Sequence, residues 1–395
     1  MTAAVDAPPR LALVAGETSG DLLAGLLLGG LRQRWPGLSA AGIGGPRMAE
    51  QGFEAWWPHQ KLAVHGYAEA LRHYREISGI RRQLGDRLLA LPADQRPELF
   101  IGVDAPDFNL GLEERLKAGG IPSIHFVSPS IWAWRGGRID KIRRSTDHVL
   151  CLFPFEPAIY ERAGIAATFV GHPLADAIPL EVPRAAARKS LGIDEHETVV
   201  ALLPGSRRGE MRHIAPRLLA AASLMAQKRP ELRFILPVVP GLRSLLDPML
   251  AEFAPGLPID VLDGHSHAAL AACDVTLIAS GTATLEAMLF KRPMVIGYHM
   301  SALSWMLMKR MAYQPWFGLP NILSGEFVVP ELIQDRATPE ALAREGLRWL
   351  DDPAASERLS ERFTALHHQL RQNTAQRATD AIAQILLDAR RQRSR

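Results

Sequence analysis

Cysteine is nearly missing. Two thiols in 395 residues, Cys151 and Cys273, cannot build a disulfide framework. Each sits in an apolar run, which reads as a small core residue in a reducing compartment. No Cys/His cluster has metal-ligand spacing and no acidic cluster replaces one, so neither a metal nor a cofactor is expected. Long apolar runs are missing too. The longest candidate, around residues 267–290, is interrupted by Asp274 and Glu286, so nothing is expected to span a bilayer. Met1 to Arg10 lacks a basic start followed by an apolar stretch, which argues against export and for the cytoplasm. An excess of one charge is also absent: 45 Lys and Arg against 42 Asp and Glu give a net +3. No Lys/Arg stripe is interleaved with aromatics, so no nucleic-acid partner is expected and any anion must be met locally.

Apolar residues (47%) and charged residues (22%) are in the proportions of a folded chain. Its length suits two domains of about 150 to 200 residues each. Leu11 to Ala15, Leu99 to Val103, Pro122 to Val127 and His148 to Phe153 read as apolar strands separated by helical segments. The pattern pauses between Gly171-His172-Pro173 and Pro183. It restarts with strands at Thr198 to Leu203, Leu232 to Val239, Ile259 to Leu262, Val275 to Ala279 and Met294 to Tyr298. Beyond Pro339 the composition is helical. Fully apolar strands alternating with helices predict parallel α/β sheets, here as two tandem domains with ligands outside the carboxyl ends of the strands. The domains are drawn at 1–172 and 173–370, with a C-terminal helix at 371–395.

Candidate chemistry falls at strand ends. Pro204-Gly205-Ser206-Arg207 joins a strand to a helix whose N-terminal amides and Arg207 suit a diphosphate. Ser280-Gly281-Thr282-Ala283-Thr284 repeats the design, and Glu286, one turn on, suits ribose hydroxyls. Asp104 and Asp107 follow the strongest strand of the first half. Asp107 is assigned to capping the next helix and Asp104 to general-base work. In Gly16 to Asp21, Thr18 or Ser19 is either a helix cap or an acceptor contact, while Glu17 and Asp21 would repel phosphate. Trp132, Trp134 and Arg135 either stack on a sugar or fill the domain junction. The basic amphipathic stretch from Lys61 to Leu91 either lies on an anionic bilayer or packs as a core helix. Apolar His299 to Phe317 suits a membrane or subunit contact.

The stretches LVAGETSGD (Leu13 to Asp21), GGPRM (Gly44 to Met48), GVDAPDFN (Gly102 to Asn109), VSPSIWAWR (Val127 to Arg135), FVGHPLAD (Phe169 to Asp176), LLPGSR (Leu202 to Arg207), ASGTATLE (Ala279 to Glu286) and LPN (Leu319 to Asn321) run in the order of a known family. The chain resembles the lipid-A-disaccharide synthases of Gram-negative lipopolysaccharide biosynthesis. The resemblance implies a GT-B fold, two Rossmann-like domains facing across a cleft. It implies inverting transfer of 2,3-diacylglucosamine from its UDP derivative to 2,3-diacylglucosamine 1-phosphate, releasing UDP. The implied partners are these acylated substrates and the anionic inner face of the inner membrane. Swapped homodimers occur in some members, which leaves the oligomeric state open. By motif, Asp104 is the base; Arg207, Glu286 and Asn321 serve UDP binding or activity.

Overall fold

The computed structural model describes residues 7–62, 67–132, 136–300, 305–306 and 314–393. The chain divides into two compact units. One comprises Met1–Asp176 and Leu370–Arg395, the other Ala177–Gln369. The first carries β1 (Arg10–Ala15), β2 (Ser39–Gly44), β3 (Glu54–Pro58), β4 (Leu99–Val103), β5 (Ser123–Phe126), β6 (His148–Cys151) and β7 (Ala166–Phe169). They pair in the order β3-β2-β1-β4-β5-β6-β7, every neighbour parallel. The second carries β8 (Val199–Leu203), β9 (Arg233–Val238), β10 (Ile259–Asp263), β11 (Val275–Ala279), β12 (Met294–Tyr298) and β13 (Glu331–Ile333), in the order β10-β9-β8-β11-β12-β13, again parallel.

Both sheets are doubly wound. Each strand order reverses once, at β1/β4 and at β8/β11, and such switch points are where ligands meet the carboxyl ends of the strands. β2, β3, β7 and β13 were not read from the sequence. Ser39–Gly44 is mostly alanine and glycine, Glu54–Pro58 is a partly exposed edge strand, Ala166–Phe169 has four residues, and Glu331–Ile333 has three with a carboxylate among them. None carries the apolar run that marks a central strand.

Alternation along β1 sends Leu11, Leu13 and Ala15 to one face and Ala12 and Val14 to the other. The first face packs on Leu27, Leu28 and Leu31 of helix Thr18–Arg34 and on Ala378, Ile382 and Leu386 of helix Thr374–Arg393. The second packs on Ile80, Leu84 and Leu88 of helix Tyr67–Ala90 and on Leu112 and Leu116 of helix Pro106–Ala118. The apolar stripe of the basic helix therefore faces the core. Arg75, Arg82 and Arg87 stay exposed, and Arg87 lies 3.8 Å over the Trp56 ring.

FVGHPLAD forms the socket for the returning chain. The His172 amide donates to the Leu370 carbonyl at 2.9 Å. The Asp176 carboxylate accepts the Asn373 and Thr374 amides at 2.9 and 2.7 Å, capping the last helix from a distant part of the sequence. Ion pairs Arg390–Glu98 and Arg34–Asp380 fasten the same helix along its length.

Candidate active site

At the β1/β4 switch point the glycine turn after β1 meets the segment after β4. A Cβ placed on Gly16 would lie 2.9 Å from the Ala105 Cβ, so the two turns touch. Asp104 stands half-exposed there, and its carboxylate has no hydrogen-bond or ion-pair partner among the described residues. Its backbone is left-handed at φ 52°, as is Ala105 at 43°. Helix Pro106–Ala118 starts immediately after, so Asp107 lies inside the first turn instead of before it. Ala105 is the N-cap and no side chain caps the helix; Asp107 instead pairs with Arg138. The expected cap is thus a surface ion pair that complements the helix dipole.

The first turn differs from expectation in the same way. Helix Thr18–Arg34 has Glu17 at its N-cap with no side-chain bond, so neither Thr18 nor Ser19 caps it. Glu17, Thr18 and Ser19 are all exposed, which leaves Ser19 open to an acceptor. Asp21 is turned inward instead, 1% exposed, accepting the amides of Gly45, Arg47 and Met48 at 2.8 to 3.2 Å. LVAGETSGD and GGPRM are thereby two halves of one joint.

Beyond β5, Trp132 is half-buried, its indole N–H donating to Glu156 at 3.0 Å. Its ring meets Phe155 and Phe153 edge-on at 5.4 and 6.3 Å. Burial pushes the Glu156 carboxyl up to about 7, against hydrogen bonds from Phe153, Trp132, Ser128 and Leu152 that favour its charged form. Trp134 and Arg135 lie outside the described residues.

In the second unit, β8 and β11 are neighbours with Leu203 opposite Ile278, so the two glycine turns emerge side by side. Gly281 and Thr282 are exposed, and no side chain caps helix Thr282–Leu289. Ser280 is half-buried, and its hydroxyl donates to the Phe317 carbonyl at 3.3 Å. Glu286 Oε1 accepts a hydrogen bond from His267 Nε2 at 3.1 Å, and that bond raises the His267 pKa against partial burial. The first turn is not the open anion site expected of it. Helix Arg208–Lys228 carries Glu210 one turn in, and Glu210 Oε2 accepts the Ser206 and Arg207 amides at 3.2 and 3.3 Å. The cradle formed by Gly205, Ser206 and Arg207 already holds an internal carboxylate.

Asn321 is 0% exposed, its carboxamide fully engaged. Nδ2 donates to the Val329 carbonyl at 2.9 Å and to Glu331 at 2.8 Å; Oδ1 accepts the amides of Val328 and Val329 at 2.8 and 3.0 Å. Glu331 in turn accepts the Phe317 and Gly318 amides at 2.9 and 2.8 Å. Burial raises the Glu331 pKa, opposed by these bonds. Asn321 therefore shapes the loop that meets Ser280, and a direct ligand contact would cost it an internal bond.

Sequence reasoning missed Glu113 and His125, both fully buried, with His125 Nδ1 2.7 Å from Glu113 Oε1 beneath β4. Burial raises the Glu113 pKa against the pull of His125. Gly102 makes room for them: a Cβ there would lie 2.1 Å from Glu113 Oε1 and 2.9 Å from the Asn109 Cβ. A glycine inside an otherwise apolar strand was the available signal.

Known proteins resemble this chain in sequence and in fold. The chain is 58% identical over 382 residues to the lipid-A-disaccharide synthase of Albidiferax ferrireducens, covering 95% of this chain and 97% of that one. The enzyme of the same name from Verminephrobacter eiseniae is 56% identical over 98% of this chain and 100% of its own. Among solved structures, the UDP-GlcNAc 2-epimerase of Neisseria meningitidis bound to UDP-GlcNAc aligns with a TM-score of 0.63 at 11% identity, covering 96% and 99% of the two chains. A glycosyltransferase from Rickettsia africae aligns at 0.60 and 10% identity, covering 97% and 99%. These distant likenesses establish the two-unit GT-B fold. Residues 11–385 match the lipid-A-disaccharide synthetase family, and with relatives this close over nearly its full length, the chain belongs to that family.

Proposed function

We propose that the chain is a glycosyltransferase that condenses UDP-2,3-diacylglucosamine with 2,3-diacylglucosamine 1-phosphate, giving the β-1,6-linked lipid A disaccharide 1-phosphate and UDP. The observation that carries this reading is where the shared motifs fall. LVAGETSGD and GVDAPDFN end at the β1/β4 switch point; LLPGSR and ASGTATLE end at the β8/β11 switch point. The first unit then takes the acceptor, with Ser19, Trp132, Trp134 and Arg135 on its side, and the second takes the UDP-sugar.

Asp104 removes the proton of the acceptor 6-hydroxyl as that oxygen attacks C1 of the donor sugar. The bond from C1 to the UDP oxygen breaks, and charge gathers on the diphosphate. Arg207 and the N-termini of helices Arg208–Lys228 and Thr282–Leu289 stabilise that charge, with Gly205, Ser206, Ser280 and Gly281 letting the phosphates approach. Glu286 receives the ribose hydroxyls. That the Asp104 carboxylate has no hydrogen-bond or ion-pair partner among the described residues supports its role as base.

Among the described residues no helix is long and apolar enough to cross a membrane. The exposed Arg75, Arg82 and Arg87 support a peripheral, salt-sensitive attachment to the anionic inner face of the inner membrane. The test is UDP release with each substrate alone and with both together. Release only with both acylated sugars, and its loss in Asp104→Asn with UDP affinity intact, is the expected result. Near-normal turnover in Asp104→Asn would remove the base assignment.

A further inference from the structure

Two consecutive non-glycine residues hold left-handed backbone directly after β4: Asp104 and Ala105, at φ 52° and 43°. Side chains disfavour that region because Cβ crowds the following carbonyl. Something must hold the turn. The Asp104 amide donates to the Phe126 carbonyl of β5 at 2.9 Å, which fixes only one side of it. On the other side stands Asn109, 0% exposed on the first turns of helix Pro106–Ala118. Its Nδ2 reaches the Asp104 carbonyl at 2.8 Å, the Val103 carbonyl at 3.3 Å and the Val14 carbonyl of β1 at 3.4 Å. Three carbonyls at the ends of two adjacent strands share one amide group.

We propose that Asn109 is a positioning residue for the transfer reaction, holding Asp104 in the left-handed conformation that presents its carboxylate to the acceptor. The inference rests on the reading of Asp104 as base. Gly102 and Asn109 belong to the same device, because a Cβ on Gly102 would lie 3.0 Å from the Asn109 Cγ. Without the Nδ2 bonds, the Asp104 peptide is free to leave the left-handed region for an ordinary conformation. The carboxylate then swings away from where the hydroxyl must lie. General-base catalysis is lost to the extent that this happens, while the donor unit is untouched.

The test is a double-mutant cycle on the full chain, with UDP release assayed on both acylated substrates. Asn109→Ala is expected to lower kcat by about 30-fold or more, a part of the roughly 10²–10⁴-fold that a general base contributes. The KM for the UDP-sugar stays within about threefold. Adding Ala105→Gly, which adopts positive φ without steric cost, recovers about tenfold or more of the loss. In the Asp104→Asn background, Asn109→Ala costs nothing further, because its effect runs through Asp104. Should Asn109→Ala not fold, the same cycle is run with Asn109→Asp, which keeps the shape and replaces the donor by an acceptor. If the losses multiply in the Asp104→Asn background, or Ala105→Gly gives no recovery in a folded protein, Asn109 is merely structural and the proposal falls. If Asp104→Asn itself turns over normally, the base reading falls and takes this one with it.

Discussion

Glu210 turns back on Arg207. Its Oε1 lies 3.2 Å from Arg207 Nη1 and its Oε2 accepts the Arg207 amide at 3.3 Å. The Glu210 carboxylate that takes the N-cap amide of the helix therefore fills the place proposed for a donor phosphate. A bound diphosphate must displace this carboxylate or tolerate its charge. Glu210→Gln keeps an acceptor for the amides and removes the charge. UDP affinity, measured by calorimetry, is expected to rise about threefold to tenfold, with the melting temperature falling slightly.

Asn321 and Glu331 predict a different pattern. Asn321→Leu keeps the branched shape but removes every bond made by the carboxamide, leaving Glu331 and the Val328 and Val329 amides short of partners. The expected cost is about 2 to 4 kcal/mol of stability. UDP affinity should fall as well, because the Phe317 carbonyl that takes the Ser280 hydroxyl moves with the loop. Denaturant unfolding and UDP titration read the two effects separately.

Asp21 serves as a contrast. Its carboxylate satisfies three amides in the first unit, two of the bonds buried. Asp21→Ala leaves them unpaired and is expected to cost about 2 to 4 kcal/mol. UDP affinity in the surviving folded protein should not change, since the nucleotide is assigned to the other unit. A large loss of UDP affinity at normal stability would contradict that division.

Glu156 predicts a pH dependence. Its ordinary pKa of 4.5 is raised to about 7 by burial in the fold. The folded state thus holds the proton more tightly than the unfolded chain. The contribution to stability is fully present below about 4.5 and is lost as pH rises through about 7, with a span on the order of 3 kcal/mol. Wild type should therefore lose stability relative to Glu156→Gln between pH 5 and pH 8. His172, tilted against Phe153 with ring centroids 5.5 Å apart, works in the other sense: burial lowers it to about 4, so its contribution is lost as pH falls. It is present in both proteins, and the difference in melting temperature isolates Glu156. A constant difference across the range would refute the shift.

The strands that positioned the site were legible because they are central and apolar. β1, β4, β8 and β11 are buried along nearly their whole length and end in glycine or aspartate turns. The missed strands were hidden because none carries a long apolar run: β2 is mostly alanine and glycine, β3 and β7 are partly exposed, and β13 has three residues. What the sequence concealed was partnership. Glu210, Asp21 and Asp176 look like ordinary surface carboxylates until folding brings distant or reversed amides to them. Asn321 is assigned to UDP binding or activity by family likeness alone, and its four bonds are all internal. Asp107 and Asp104 could be separated only by family likeness; the starting point of helix Pro106–Ala118 now distinguishes them physically.

The socket that receives the last helix has a consequence for how the protein is made. Synthesis delivers residues 177–369 before the ribosome reaches Thr374, so the second unit can fold on the nascent chain first. The first unit, though begun earlier, waits with the cluster of Leu27, Leu28 and Leu31 only partly covered until Ala378, Ile382 and Leu386 arrive. A premature stop codon near residue 370 therefore damages the opening half of the protein and spares its middle. Translation of the final helix is the step that completes the unit holding Asp104.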